Sequence, residues 1–368
     1  MKLRYKIAGI GLLLVAAAVL GSLLALSYES PCEAAPPLSV GTPSMKAIVH
    51  RCYGSPDVLA LEDVAKPIPA DDQVLVKVRA ASVNPLDWHG LRGEPYVMRL
   101  SSGFGLPKNV RLGVDFAGTV EAVGKSVTRF RPGDEVFGGR GGSLAEYVTV
   151  GESWAIASKP ANVTFEQAAA VPVAAITALQ ALRDKGRIQP GQKVLINGAS
   201  GGVGTFAVQI GKAFGAEVTG VCSTRNLAMV RDLGADHVVD YTREDFTRSG
   251  ERYDLIVDMV ASRPLSEYRR VLKPEGVYVV VGATSDGRWL GPLVPMIKAI
   301  AYAPFVSEEL VTFIAALNKD DLLVLSDLMQ AGKVTPVIDR RFGSREVPDA
   351  IRYLEEGHAR GKVIVTFQ

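Results

Sequence analysis

The stretch Val194–Gly204, V-L-I-N-G-A-S-G-G-V-G, decides the fold of the second half of the chain. An apolar run feeds a glycine turn, and Thr205–Phe214 (TFAVQIGKAF) then has the length and composition of a helix. That strand–turn–helix context separates a dinucleotide-binding fingerprint from the glycines of an ordinary βα turn. The spacing is A-x-G-x-x-G, with Ala199 in the first position and Gly201 and Gly204 in the other two. Gly201 lets the backbone approach a pyrophosphate, and Gly204 lets helix and strand pack closely. The free N–H groups at the helix start favour phosphate. Ala199, Ser200, Gly201, Gly202, Val203 and Gly204 are therefore the expected phosphate cradle.

Reading on, Glu217–Val221 (EVTGV) is the next strand, whose end falls near the adenosine ribose. NAD enzymes place a carboxylate there. This strand runs instead into Cys222-Ser223-Thr224-Arg225, with no Asp or Glu in that stretch. Two hydroxyls and a guanidinium suit a 2′-phosphate, because Arg gives charge-assisted bonds to phosphate oxygens. The expected cofactor is NADP(H), held by Ser223, Thr224 and Arg225; the competing reading of Arg225 is a solvated charge at a helix start.

Around this centre, strands and helices alternate. Val194–Asn197, Glu217–Val221, His237–Asp240, Asp254–Asp258 and Gly276–Val281 read as strands, with Leu227–Leu233 and Leu265–Val271 as helices between them. That alternation predicts a Rossmann doubly wound parallel sheet. Met45–Val150 instead carries short β-type runs with turn residues between them, among them Lys46–Val49, Gln73–Arg79 and Ala145–Val150. It predicts a compact, largely antiparallel domain. The expected fold class is α/β, a Rossmann sheet plus a β domain, preceded by an N-terminal hydrophobic helix. The boundaries expected are 1–27 for an anchor or signal, 28–44 for a linker and 45–163 for the β domain. Residues 164–310 form the nucleotide domain, and 311–368 a C-terminal segment whose tail, Gly361–Phe367, is placed to return to the first domain.

The chain has 368 residues, 48% of them hydrophobic, and a net charge of +2, which argues against a nucleic-acid partner. Three cysteines, Cys32, Cys52 and Cys222, lie far apart with no C-x-x-C pair, and predict neither a disulfide framework nor a structural zinc site. At the front, Lys2, Arg4 and Lys6 precede Ile7–Leu26, an uncharged run of 20 residues. A helix of that length, at about 1.5 Å per residue, matches a hydrocarbon core of about 30 Å. A single-pass membrane anchor is expected, with a signal cleaved after Ala25-Leu26-Ser27 as the alternative. The basic residues put the N-terminus in the cytoplasm, which would leave the body on the side where NADPH is scarce, so the side of the membrane stays open. Ser27–Ser44, rich in Pro and Ser, reads as a flexible linker.

In this layout, four further segments carry a family resemblance. They are Ala81-Ser82-Val83-Asn84-Pro85-Leu86-Asp87, Gly113-Val114-Asp115-Phe116-Ala117-Gly118, Pro132-Gly133-Asp134-Glu135-Val136 and Gly357-His358-Ala359-Arg360-Gly361-Lys362. Together with the cofactor loop, they make Met45–Gln368 resemble the medium-chain dehydrogenase/reductase superfamily, in its zinc-independent quinone-oxidoreductase and enoyl-reductase branch. The resemblance implies a chaperonin-10-like catalytic domain, a Rossmann domain and a cleft between them. Zinc-dependent relatives carry a Cys near the A-S-V-N position and Gly-His-Glu at the Gly113 position. This chain has Asn84 and Gly113-Val114-Asp115, and its histidines, at 50, 89, 237 and 358, are too scattered to form a ligand set. No metal is expected.

Without a metal, reduction of a conjugated C=C or a quinone is the less demanding chemistry. Hydride goes to an electrophilic carbon, and the developing oxyanion needs hydrogen-bond donors, each worth about 3 kcal/mol. Asn84 is the first candidate donor, stiffened by Pro85 and backed by Asp87; its competing reading is an Asn-Pro turn with an Asx cap. Tyr96 resembles a substrate-facing tyrosine of some relatives, and a packing tyrosine is the alternative. By the same resemblance, Thr177 and Gly282 contact the nicotinamide and Tyr241 helps hold the 2′-phosphate. His89, beside Trp88, reads as structural. Trp289–Phe305 reads as a hydrophobic lid, a membrane-dipping surface, or core or dimer packing, so a second copy of the chain remains a candidate partner.

The leading expectation is an NADPH-dependent reductase of quinones or α,β-unsaturated carbonyls acting on a small apolar electrophile. An enoyl-thioester reductase of lipid intermediates is the near alternative. A membrane-tethered NADPH-binding interaction protein with little turnover is the alternative from another class.

Overall fold

The computed structural model describes residues 20–283 and 287–367. Two sheets dominate it. The first half supplies β1 (Ser44–His50), β2 (Leu59–Ala65), β3 (Gln73–Val83), β4 (Asp115–Val123), β5 (Glu135–Gly139), β6 (Tyr147–Gly151) and β7 (Ile156–Ser158). In β3 the inward residues Val74, Val76 and Val78 are buried, as alternation over a half-covered sheet demands. The second half supplies β8 (Lys193–Asn197), β9 (Glu217–Cys222), β10 (His237–Asp240), β11 (Tyr253–Asp258), β12 (Leu272–Val280) and β13 (Glu309–Thr312). These six pair in the order β10-β9-β8-β11-β12-β13, all parallel. The order reverses direction at β8, and the ligand crevice of such a sheet lies outside the strand ends at that point.

The chain then leaves the nucleotide sheet. β14 (Ile338–Gly343) and β15 (Lys362–Thr366) join the first domain, where β15 lies antiparallel to β3. The pairing Val363↔Val83 and Ile364↔Ser82 sets Lys362 beside the end of β3, at the mouth of the A-S-V-N-P segment. The last strand thus belongs to the first domain although it is made last.

Two expectations about the front of the chain are corrected. No helix among the described residues is long and apolar enough to cross a membrane, so the expected spanning helix and single-pass membrane location are not upheld. Residues 7–19 of the expected span lie outside the described residues. Its remainder, residues 20–26, is helical, and the helix ends at Ser27. The reading of the cysteines is also corrected: Cys32 forms a disulfide with Cys52, which ties the start of the expected linker to the body. Ser30 N–H donates to Gly105 O, and the guanidinium of the fully buried Arg99 donates to Leu26 O, Tyr28 O and Glu29 Oε1. Spacing along the chain carried no trace of this pairing, because the two cysteines meet only once the segment is laid against the loop 93–105.

Candidate active site

The phosphate cradle forms because its glycines are needed at specific places. Gly198 turns the chain with φ +88, a left-handed conformation that favours glycine. A Cβ on Gly204 would lie 2.0 Å from Gly198 O, so helix Gly202–Ala213 could not pack on β8 with any larger residue there. A Cβ on Gly201, in contrast, meets nothing closer than 3.6 Å. Gly201, Gly202 and Val203 are half-buried, whereas Ala199 is fully buried with its N–H on Val221 O. Ser200 Oγ accepts from Asn226 Nδ2, whose own Oδ1 is buried without a partner. A helix N-terminus with uncommitted N–H groups, reachable at a glycine turn and next to an unsatisfied amide oxygen, fits a dinucleotide.

At the end of β9, Ser223, Thr224 and Arg225 lie together. Arg225 is exposed and donates to His358 O at 2.7 Å, and Tyr241 is exposed nearby, its N–H on Cys222 O. One carboxylate stands closer than the linear order suggested. Asp240, paired with Cys222 across the sheet, accepts from Thr224 Oγ1 at 2.5 Å and from Thr242 Oγ1 at 2.7 Å. These hydroxyls hold its pKa below the usual carboxylate range, and Arg243 lies 3.6 Å away. Gly282 packs against the Met259 carbonyl, where a Cβ would sit 2.9 Å from the oxygen. Thr177, half-buried, spends its hydroxyl on Val173 O.

Below the cradle lies a buried polar network. Asn84, Asp87, Asp115, Ser82 and Lys362 are all at most 3% exposed. Lys362 Nζ donates to Asn84 Oδ1 at 2.5 Å and lies 3.3 Å from Asp115 Oδ2. Asp115 also accepts from Ser82 Oγ, from Asn84 Nδ2 and from Val173 N at the start of helix Pro172–Leu179. Asp87 accepts from the backbone N–H of Asn84 and of Gly113. Burial, with the nearby Asp115 charge adding to it, pushes Asp87 up to about 7 against those hydrogen bonds. The aliphatic stem of Lys362 covers Gly202, with its Cδ 3.2 Å from where a Cβ would be.

A cavity of about 590 Å³ opens beside this network, with Leu86, Asp87, Gly113 and Val114 in its wall. Tyr96 is not in that wall. It is buried in the neighbouring loop, between the Arg99 guanidinium, 4.5 Å from its ring, and the edge of Trp289. Its N–H donates to Arg288 O, and Arg288 pairs with Glu94, so the loop is tied to the nucleotide domain. His89 bonds Glu94 O through Nδ1, which fits a structural role. In Trp289–Phe305, the helix Leu293–Tyr302 leaves Ile297 and Ile300 exposed.

Two family models match this architecture: the alcohol dehydrogenase GroES-like domain over residues 70–161, and the zinc-binding dehydrogenase over residues 233–365. The chain is 36% identical over 344 residues to a 2-methylene-furan-3-one reductase of Solanum lycopersicum, covering 89% of this chain and 80% of that one. It is 34% identical over 336 residues to a chloroplastic NADPH-dependent alkenal/one oxidoreductase of Arabidopsis thaliana, covering 87% and 79%. The solved quinone oxidoreductase of Coxiella burnetii superposes with a TM-score of 0.78 at 31% identity, over 89% of this chain and all of that one. The chain belongs to the medium-chain dehydrogenase/reductase superfamily, in its zinc-independent, quinone-oxidoreductase-like branch.

It is an NAD(P)H-type oxidoreductase. At the positions where zinc-dependent relatives carry ligands, this oxidoreductase presents Asn84 and Val114. Among the described residues no group of three or more His, Cys, Asp or Glu side chains is gathered as a metal site. The fold brings Asn84, Asp87 and the cradle into one neighbourhood and sets Tyr96 in the loop beside it. Three members of the network were missed in the sequence as chemistry: Ser82, Asp115 and Lys362 stood only as letters of family motifs. The available signal was a lysine at the head of an otherwise apolar strand, K-V-I-V, where burial obliges a charged group to find a partner.

Proposed function

We propose that this oxidoreductase uses NADPH to reduce quinones or α,β-unsaturated carbonyls. The observation that carries the reading is Lys362, which covers Gly202 of the phosphate cradle with its stem and holds Asn84 of the cleft segment with its ammonium. One side chain therefore fixes the distance between the nucleotide site and the cleft. The cofactor, when bound, supplies a hydride.

The remaining tasks fall to the chain. N–H groups at Gly202–Gly204 hold phosphate, while Ser223, Thr224 and the exposed Arg225 offer donors to a 2′-phosphate. As the substrate takes hydride at carbon, charge develops on its oxygen and calls for fixed donors. Asn84 has its Oδ1 taken by Lys362 and one amide hydrogen by Asp115, which leaves one N–H for that task. Asp87, close to neutral pH in its titration, keeps this segment in place through the Asn84 and Gly113 backbone. The names of the relatives, an alkenal/one oxidoreductase and a 2-methylene-furan-3-one reductase, support the same class of electrophile.

Steady-state NADPH oxidation with a panel of quinones, enones and enoyl thioesters tests the reading. Turnover of quinones or enones is the expected result. Turnover confined to enoyl thioesters would move the protein to the lipid-reductase alternative, and NADPH binding without turnover would make it a binding protein.

A further inference from the structure

The cavity beside Asp87 is lined on its far side by guanidinium groups that no carboxylate neutralises. Arg111 and Arg140 both face it, with Lys108 and His50, and Asp87 is its one acidic lining residue. Among the described residues, neither Arg111 nor Arg140 makes an ion pair, although both line the same cavity. Arg140 N–H is anchored on Val114 O, and its guanidinium lies over the Trp154 ring at 4.3 Å. Stacking holds the plane of an arginine while leaving its edge donors free for a planar anion. Arg111 lies across Gly142, its Nε 3.2 Å from where a Cβ would be, so a side chain at that position would displace it by a few tenths of an ångström. Arg111 is exposed, yet partial desolvation lowers its pKa and the Arg140 charge lowers it further. His50 is buried at 3% exposure with Nδ1 unpartnered, and burial favours its neutral form.

Arg140 also lines a second cavity of about 370 Å³ with Trp154, Leu317 and Asn318, the last two following β13. It therefore stands where the catalytic-domain pocket meets the nucleotide domain. Two unpaired guanidinium groups in one recess repel each other, and a bound anion removes that cost while supplying acceptors for their N–H donors.

We infer that Arg111 and Arg140 form an anion subsite, so that the preferred substrate is an electrophilic alkene or quinone bearing an anionic oxygen group, a carboxylate or a phosphate. This rests on the reductase reading above and narrows its substrate class. The anionic group docks between the two arginines, and the reducible end extends toward Leu86, Asp87 and Val114.

The test compares 4-oxopent-2-enoate with its methyl ester, and crotonyl-coenzyme A with crotonyl-N-acetylcysteamine, in the full chain and in Arg111→Gln/Arg140→Gln. The acid should exceed the ester in kcat/KM by about 10-fold or more, the worth of a charged hydrogen bond, and that ratio should collapse toward one in the double variant. A preference for crotonyl-coenzyme A that collapses in the same way, without the acid–ester preference, assigns the subsite to a carrier phosphate. Equal rates within both pairs in the unmutated protein overturn the subsite and leave the reductase reading intact. Calorimetric binding of the unreactive 4-oxopentanoate in the presence of NADP+ gives a readout free of turnover. Binding lost in the double variant sustains the subsite even if no electrophile is reduced. Binding unchanged by the substitutions, or absent from the unmutated protein together with any acid or coenzyme A preference, overturns it.

Discussion

Lys362 Nζ and Asn84 Oδ1 meet at 2.5 Å although 278 positions separate them in the chain. The contact exists because β15 returns to β3 with Val363 opposite Val83, which sets the lysine over the turn that begins at Asn84. Asp115, fully buried, balances the ammonium charge. The network therefore sits as a nearly neutral unit beneath the cofactor loop.

Replacing Lys362 by Met removes one partner of a buried pair and leaves the Asp115 carboxylate without its counter-charge. The other donors to Asp115 remain, so the expected loss of stability is about 3 kcal/mol, the low end for such breaks. Urea or guanidinium unfolding of the two proteins measures it. A change below about 0.5 kcal/mol would mean that the pair contributes little to the fold.

Asn84→Ala should lower the rate of hydride transfer by about 10²-fold or more, as removal of one transition-state donor does, while changing NADPH affinity much less. Single-turnover kinetics beside cofactor titration separates the two effects. Unchanged turnover would reduce Asn84 to a turn residue.

Cofactor choice turns on Arg225. NADPH should bind more tightly than NADH, and Arg225→Ala should narrow the gap by about 1.5–3 kcal/mol, the range for hydrogen bonds to charged groups. Equal affinities of the unmutated protein for the two cofactors would remove the basis for this assignment, and would point to Asp240 behind Thr224 as the dominant charge near the ribose.

Asp87 gives stability a pH dependence. Its pKa rises from 3.8 to about 7 on folding, so between those values the folded state holds a proton that the unfolded state has lost. The contribution is complete below 3.8 and falls away as pH rises to about 7. Asp87→Asn cannot titrate. The stability difference between the unmutated protein and this variant should therefore shift in favour of the variant from about pH 5 to about pH 8. A difference that is flat over that range would place the proton elsewhere.

The Cys32–Cys52 bond predicts the thiol count. Of three cysteines, only Cys222 should react in unfolded, unreduced protein, and all three after reduction. In the native state Cys222 should also resist labelling, because burial pushes its pKa up to about 11. The bond closes a separation of 20 residues, so its loss should cost about 3 kcal/mol on loop entropy. Three reactive thiols without reductant would show that the bond is not made.

What could be read from the residues alone was local. The phosphate cradle is contiguous, and its glycines answer to contacts within a few residues of themselves, such as Gly204 against Gly198 O. The parallel sheet could be read because each strand–helix unit carries its own hydrophobic period, and the Asn84–Asp87 segment because proline and an Asx residue leave a short-range signature. The expected membrane helix was a local reading too, and no helix among the described residues is long and apolar enough to cross a membrane. The chain just after residue 27 is tied to the body by Arg99 and by Cys52, a pairing that hydropathy does not report. Only the tertiary structure decided which distant groups meet: Lys362 with Asn84 and Asp115 in a buried network, Asp240 with Thr224, and Arg111 with Arg140 around one cavity. Buried or crowded charges take their partners from the whole fold, because desolvation is relieved by any group the packing brings within about 3 Å, and chain order sets no limit on which group that is.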